Sequence, residues 1–311
     1  AGPIERATHL LPQIKRERQF NYHLSVSGMR VILWGLFKKI MIADRLAVFV
    51  DKVYENAPAA EGMPALIACV FFAFQLYFDF SGYSDMALGL GRLLGFDLFV
   101  NFKRPYLSHS FGEFWQRWHI SLSSWFRDYV YIPLGGNREG NSKTTRNVLI
   151  VFLLSGLWHG ASWNFAAWGL LNALFLLRLD PLINRSASQH IFMKLIKACV
   201  VTACWTLSLV FFRADGFKAA FEMITHLGTS HSDRLMQFGL NTAELKLVVW
   251  LLVMVLLVEI ISEKNEKKIP GLLNSLPAAV RWTGYIAMTL MIVFYGHYGN
   301  GNEHSFIYFQ F

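Results

Sequence analysis

His119 and His159 are the residues whose type and setting most directly suggest chemistry. His159 lies in Trp158-His159-Gly160, inside a run from Asn147 to Leu177 that contains no Asp, Glu, Lys or Arg. An ionisable group in such a run is costly to keep in hydrocarbon and marks a functional position by default. The alternative is a buried histidine that shares a hydrogen bond with a neighbouring helix. His119 stands among Trp115, Trp118 and Trp125. It is either a second working group or an interface residue lying beside Trp and Arg. A neutral imidazole can take a proton from a hydroxyl as that oxygen attacks a thioester carbonyl. Such help is worth roughly 10²–10⁴-fold and needs neither metal nor nucleotide. Acyl transfer between a donor on one side of a membrane and an acceptor on the other would suit a histidine in a helix break. Of the other histidines, His9, His23, His190, His226, His231 and His304 fall in polar loops or ends. His297, in a late apolar segment, can also be buried.

Other chemistries find little support. The sequence holds no H-E-x-x-H, no Cys/His cluster and no G-x-S-x-G, which argues against a metal centre or a serine hydrolase. Gly135 and Gly140 have phosphate-loop spacing, but Asn141 stands where the lysine belongs. After Gly89-Leu90-Gly91 the third glycine comes one position late for a dinucleotide loop. Cys69, Cys199 and Cys204 form no C-x-x-C pair and read as small apolar packing residues. Asp79 and Asp85 border an apolar span, either as functional carboxylates or as helix-end and interhelical hydrogen-bond partners.

The elements that must position these groups follow from composition. Of 311 residues, 54% are hydrophobic and only 16% charged, and the mean hydropathy is +0.35. That excludes a disordered chain, a collagen-like chain and a disulfide scaffold, and predicts an all-α polytopic membrane protein whose constant partner is lipid. The net charge of +8 sits between apolar segments. It fits cytoplasmic membrane loops and not a nucleic-acid partner.

The whole chain, 1–311, reads as one membrane domain. Residues 1–23 are polar and basic and read as juxtamembrane. Residues 24–50 are apolar but carry Arg30, Lys38, Lys39, Asp44 and Arg45, which suits a helix packed inside a bundle or lying at the interface. Gly62 to Phe78 is a minimal span, followed by a glycine-rich helical stretch in which Gly91-x-x-x-Gly95 permits close helix contact. Residues 100–146 form a polar motif region. In it, Ser110-x-x-Glu113 reads as a capping box opening an amphipathic helix over 108–130, with Trp118 and Leu122 on the apolar face and Ser121 and Ser124 on the polar one. The uncharged run 147–177 would make a helix of about 46 Å against a hydrocarbon core of about 30 Å. It must therefore break, and Gly156, Gly160, Ser162 and Asn164 offer the place. Further spans are expected at 191–212, 245–262 and 281–299, giving five or six apolar segments.

Five segments together resemble the membrane-bound O-acyltransferase (MBOAT) superfamily. Two carry the general signature: Arg117-Trp118-His119-Ile120-Ser121-Leu122-Ser123-Ser124-Trp125-Phe126-Arg127-Asp128-Tyr129, and Ser155-Gly156-Leu157-Trp158-His159-Gly160. Three are similar to the branch that contains the alginate O-acetyltransferase membrane subunit and its peptidoglycan relatives. These are Phe78-Asp79-Phe80-Ser81-Gly82-Tyr83-Ser84-Asp85-Met86, Asn101-Phe102-Lys103-Arg104-Pro105-Tyr106 and Tyr131-Ile132-Pro133-Leu134-Gly135-Gly136-Asn137-Arg138. The Ile-Pro-Leu-Gly-Gly turn argues against the D-alanyl transferase branch.

The resemblance implies a multi-helix fold with a funnel through the membrane. It maps the family's near-invariant histidine onto His159, as base or orienting residue, and its second polar position onto His119. Asp79, Trp115, Arg127, Asp128, Trp158 and Asn164 are the candidates for the substrate and acyl path. It further implies a bacterial inner-membrane O-acetyltransferase acting on an alginate-like or other cell-surface glycan. No cofactor would be bound, acetyl-CoA would be the donor, and the partners would be periplasmic acetyltransferase or polysaccharide-modifying proteins. A transporter or channel, or an inactive scaffold of a secretion complex, is the alternative. Family members carry more spans before the equivalent of Gly2-Pro3, so a partial chain is expected.

Overall fold

The computed structural model describes residues 2–185, 190–229, 235–265, 269–298 and Phe306. Their regular structure is helical throughout, with no strand among the described residues. The first part runs through α1 (Ala7–Lys15) and α2 (Tyr22–Leu36), a π-helical turn at Phe37–Ala43, α3 (Asp44–Glu55) and the long α4 (Met63–Leu93). The polar region supplies α5 (Phe111–Arg117) and α6 (Ile120–Phe126), followed by a π-helical turn at Arg127–Tyr131. Then come α7 (Asn141–His159), α8 (Trp163–Leu174) and, through another π-helical turn, α9 (Asp180–Asn184). The last part holds α10 (Ile191–Arg213), α11 (Gly216–His226), α12 (Thr242–Asn265), α13 (Ile269–Ser275) and α14 (Ala278–Tyr295). Five helical stretches among the described residues are long and apolar enough to cross a membrane: α4, the run α8–α9, α10, α12 and α14. The protein is thus an all-α, multi-pass membrane protein.

α4 is the central post. Phe72, Phe78 and Phe80 on it are fully buried, and the uncharged span and the glycine-rich stretch after it form one helix. It continues through Asp79 and Asp85 because α2 and the turn after it bring two lysines alongside. Lys39 Nζ lies 2.6 Å from Asp79 and 2.7 Å from Asp44, and Lys38 Nζ lies 2.7 Å from Asp85. Lys38 also donates to Ser81 Oγ at 2.9 Å. Residues 37–50 therefore pack inside the bundle, with Phe37, Met41, Ile42, Leu46 and Phe49 in the core, whereas α2 before them leaves Leu24 and Met29 exposed.

The close approach of α2 and α4 is made by glycine. A Cβ on Gly35 would meet the Gly82 carbonyl at 2.6 Å, and one on Gly28 would meet the Gly89 carbonyl at 2.6 Å. The two pairs lie seven residues apart on each helix and run antiparallel. Gly91-x-x-x-Gly95 is not a helix–helix contact, contrary to its sequence pattern. Gly91 packs on Leu98 of its own chain, and Gly95, at φ +76°, lies just past the end of α4 in the left-handed conformation that glycine tolerates there.

The 31-residue uncharged run folds as a hairpin, with α7 ending at His159, a turn at 160–162 and α8 returning antiparallel. Gly156 and Gly169 face the backbone carbonyls of Phe165 and Phe152 respectively, which sets the hairpin's tight spacing. Ser162 caps α8 by accepting from Asn164 N–H. The sequence places the break between Gly156 and Gly160; the structure places it just after, from Gly160 to Ser162, with Gly156 and Trp158-His159 still helical in α7.

The expected helix over 108–130 is divided. Ser110 does open α5, its hydroxyl accepting from Glu113 N–H at 3.1 Å, while Glu113 reaches back to His109 N–H at 2.7 Å. The helix then stops at Arg117, and His119 adopts a left-handed backbone at φ 43°. The cause is the extended segment 101–103. Lys103 N–H donates to Arg117 O and Ile120 N–H to Asn101 O, both at 2.9 Å, so these groups leave the helical ladder. α6 restarts with its faces turned. Ser121, placed by periodicity on the polar face, is buried together with Trp118 and His119.

Of the expected aromatic tail 306–311, Phe306 alone is described. It is buried and stacks on Tyr83 with ring centroids 4.4 Å apart. His231, His304, residues 307–311 and the end of the predicted span at 299 lie outside the described residues.

Candidate active site

Forty residues apart in sequence, His119 and His159 line one cavity of about 240 Å³. One wall comes from the broken α5–α6 pair and its π-helical turn, through Trp115, Leu122, Phe126, Arg127 and Tyr131. The other comes from the α7–α8 hairpin, through Val148, Phe152, Ser155 and Trp168. From Val148 to His159 is about 16 Å along a helix axis, so the cavity follows α7 to its end. Its volume is below the 300–1,000 Å³ typical of sites that enclose a drug-sized ligand. It suits the reactive end of a molecule whose bulk stays outside.

His159 is 9% exposed. Trp168 meets its ring edge-on at 5.4 Å and Phe212 at 5.1 Å, between ring centroids. These aromatic walls hold the imidazole in place and keep bulk water from it. Behind Phe165 and Phe212 lies a second, polar recess of about 850 Å³, lined by Tyr54, Ser162, Asn164, Arg213, Asp215 and Lys218 among others. His159 therefore stands between a mostly apolar cavity and a polar recess, with two aromatic rings as the partition.

His119 is 2% exposed, with Phe80 of α4 edge-on at 4.6 Å. Its Nδ1 lies 3.1 Å from Asn101 Oδ1. The segment before α1 lies across this corner. Ile4 N–H donates to Ser121 Oγ at 3.0 Å, and Arg6 pairs with Asp128 at 3.1 Å.

The cavity brings together four of the residues singled out by sequence: His159, His119, Trp115 and Arg127, the last with its side chain 64% exposed. The other four lie elsewhere. Asp79 is ion-paired to Lys39 in the α2–α4 seam. Asp128 pairs with Arg127 at 2.8 Å and with Arg6. The Arg127 hydrogen bond, then that of Arg6, holds its carboxyl below the usual carboxylate range. Trp158 is 57% exposed, beside Trp125 and Phe126. Asn164 donates from Nδ2 to Ala214 O at 2.8 Å and lines the second recess.

Ser155, Tyr131, Trp168 and Asn101 are the additions. Ser155 precedes His159 by four residues on one helix, so helical spacing alone places it on the same face. Asn101 carries no charge and lies in no periodic segment; the family-like segment that begins with it is the signal that could have singled it out. Among the described residues no group of three or more His, Cys, Asp or Glu is arranged to hold a metal ion.

Comparison with known proteins places this arrangement. Over 227 residues, 72% of the chain, it is 39% identical to the peptidoglycan O-acetyltransferase of Helicobacter pylori, of which the match covers 43%. It is 39% identical over 223 residues, again 72% of the chain, to the probable alginate O-acetylase AlgI of Pseudomonas aeruginosa, covering 42% of that protein. It is 30% identical over 198 residues, 60% of the chain, to the teichoic acid D-alanyltransferase of Streptococcus thermophilus, covering 48% of it. The chain thus spans less than half the length of these relatives. The family model for MBOAT, the membrane-bound O-acyltransferase family, matches residues 1–214, a stretch that contains both histidines and every wall of the cavity between them. The chain belongs to the membrane-bound O-acyltransferase family.

Proposed function

We propose that this chain forms the reaction centre of an O-acetyltransferase in the bacterial inner membrane, which moves acetyl groups to hydroxyls of an exported polysaccharide. The observation that carries this reading is the single cavity onto which His119 and His159 both open, at the end of a broken helix with a polar recess behind it. In the reaction, the acceptor hydroxyl oxygen attacks the thioester carbonyl carbon and the C–S bond breaks. His159 takes the hydroxyl proton, which passes to the departing thiolate. Acetyl-CoA is the donor the family relationship favours, with its acetyl end alone inside the cavity. The acceptor is the glycan or a periplasmic protein that modifies it. The names of the two 39%-identical relatives support acetyl over D-alanyl transfer.

The test is acetyl transfer from a radiolabelled thioester in membranes of cells expressing the protein. His159→Ala should abolish transfer while leaving membrane insertion intact. His159→Gln keeps a hydrogen bond but cannot act as a base. Near-native transfer by His159→Gln would remove the base role and leave an orienting one. Absence of thioester turnover by the native protein would favour a transporter or an inactive scaffold.

A further inference from the structure

Asn101 is fully buried and sits behind His119, at the edge of the site. Its Oδ1 accepts from Ser121 N–H at 3.2 Å and from the Ser121 hydroxyl at 2.8 Å, and faces His119 Nδ1 at 3.1 Å. Its Nδ2 donates to Ser84 Oγ of α4 at 3.3 Å.

The direction of each bond is fixed by a neighbour that has no choice. A backbone N–H can only donate, so the amide atom facing Ser121 N–H must be the oxygen. The Ser121 hydroxyl already accepts from Ile4 N–H at 3.0 Å, so its own proton is directed at the same oxygen. Turning the amide over would set its NH₂ against Ser121 N–H, donor against donor. An amide oxygen has no proton to give, so His119 Nδ1 must carry the proton in this contact.

We infer that Asn101 is a positioning residue that fixes His119 as the Nδ1–H tautomer, which leaves Nε2 as the nitrogen that accepts hydrogen bonds or protons. The inference rests on the reading of His119 as part of the reaction centre. It adds which of its two nitrogens carries the proton and what sets it. The backbone supports the same arrangement. Ile120 N–H donates to Asn101 O at 2.9 Å, so Asn101 holds the left-handed turn at His119 as well as its ring. With Nδ1–H directed into the Ser121–Asn101 network, the ring's lone pair is on Nε2.

The experiment uses the protein labelled with ¹⁵N-histidine, in lipid nanodiscs at mildly alkaline pH, with His119→Gln identifying the His119 signals by their loss. The native protein should show His119 with Nδ1 protonated and Nε2 bare. Asn101→Ala should lose that signature and reduce acetyl transfer by about ten- to a hundredfold, the loss seen when the partner that orients a metal-bound histidine is removed. Asn101→Asp, whose carboxylate still accepts from Nδ1–H, should retain the signature. It decides the matter even where the alanine variant fails to insert. An Nε2–H ring in the native protein or in Asn101→Asp would overturn the inference. So would an unchanged tautomer in a folded Asn101→Ala. If the tautomer follows Asn101 while even the native protein transfers no acetyl group, the tautomer assignment stands and the acetyltransferase reading falls.

Discussion

Replacing Gly35 by alanine tests how closely the α2 and α4 backbones are drawn together. The added Cβ would stand 2.6 Å from the Gly82 carbonyl oxygen, 2.9 Å from Met86 Cγ and 3.0 Å from Met86 N. Two of these three atoms are backbone and cannot rotate away. Reaching the 3.0 Å floor seen for real Cβ contacts requires the helices to part by 0.4 Å, and ordinary contact at 3.4 Å requires 0.8 Å. The Lys38–Asp85 and Lys39–Asp79 pairs, at 2.7 and 2.6 Å, span the same seam and stretch with it. Overpacking of this kind costs about 1–3 kcal/mol, partly offset by the roughly 1 kcal/mol that alanine gains over glycine in a helix. Gly284, in α14, has nothing within 4 Å of its Cβ position, so Gly284→Ala carries the helix gain without the clash. The assay is thermal unfolding of the detergent-solubilised protein, followed by tryptophan fluorescence. Gly35→Ala should lower the midpoint by several degrees and Gly284→Ala should leave it unchanged or raise it. Equal midpoints for the two variants would refute the reasoning, because only Gly35 is crowded.

Asp79→Ala should destabilise the protein by about 3 kcal/mol. This is the low end of the range for breaking a buried ion pair, because Asp44 remains on Lys39. The triple variant Lys39→Met, Asp79→Leu and Asp44→Asn, which leaves neither carboxylate without its lysine, should recover most of that loss in the same thermal assay, which a purely steric role for Asp79 would not allow. The Arg6–Asp128 pair yields a pH prediction. The Asp128 carboxyl is depressed in the folded protein by Arg127 and Arg6, so its contribution is present above the unfolded carboxylate value of about 3.9 and is lost only as pH falls through the lower folded value. Hydrogen exchange at the Ile4 amide, corrected for its intrinsic rate, should therefore be unchanged between neutral and mildly acidic pH. Asp128→Asn should accelerate it at neutral pH by at most about fivefold, since a pair this exposed is worth about 0.2–1 kcal/mol. Acceleration of the native amide already at mildly acidic pH would show that the clasp is set by another group.

The two histidines were legible because a titratable ring stands out in an apolar run, and the hairpin because 31 uncharged residues exceed one membrane crossing. The break at His119 was not legible. The apolar spacing of Phe114, Trp118, Leu122 and Phe126 continues across it as if one helix ran through. What interrupts the helix is hydrogen bonding from residues 101–103, a tertiary competitor that local periodicity does not register. Ser121 was placed on the wrong face for the same reason. Asp79 read as a candidate for chemistry because its partner, Lys39, is forty residues away and belongs to a segment whose own charges looked out of place. The glycine pattern misled in a related way. Gly91-x-x-x-Gly95 has the spacing of a contact motif, whereas the pairs that do touch, Gly28 with Gly89 and Gly35 with Gly82, become visible only once two helices are set antiparallel.

The lysine–aspartate contacts between the turn after α2 and α4 also bear on how the protein enters a bilayer. Taken alone, the first helical run carries Lys38 and Lys39 without the carboxylates of α4, and α4 carries Asp79 and Asp85 without those lysines. Each such charge at mid-membrane costs about 2.5–3.5 kcal/mol on insertion scales. In the folded protein Lys38 meets Asp85 at 2.7 Å and Lys39 meets Asp79 at 2.6 Å, with Asp44 as a further carboxylate on Lys39. Each of these two carboxylates of α4 is thus matched by a lysine that the turn after α2 supplies. The carboxylates in the second half of α4 are therefore matched only once the lysines have reached them, which couples the placement of that half to that of the run through α2.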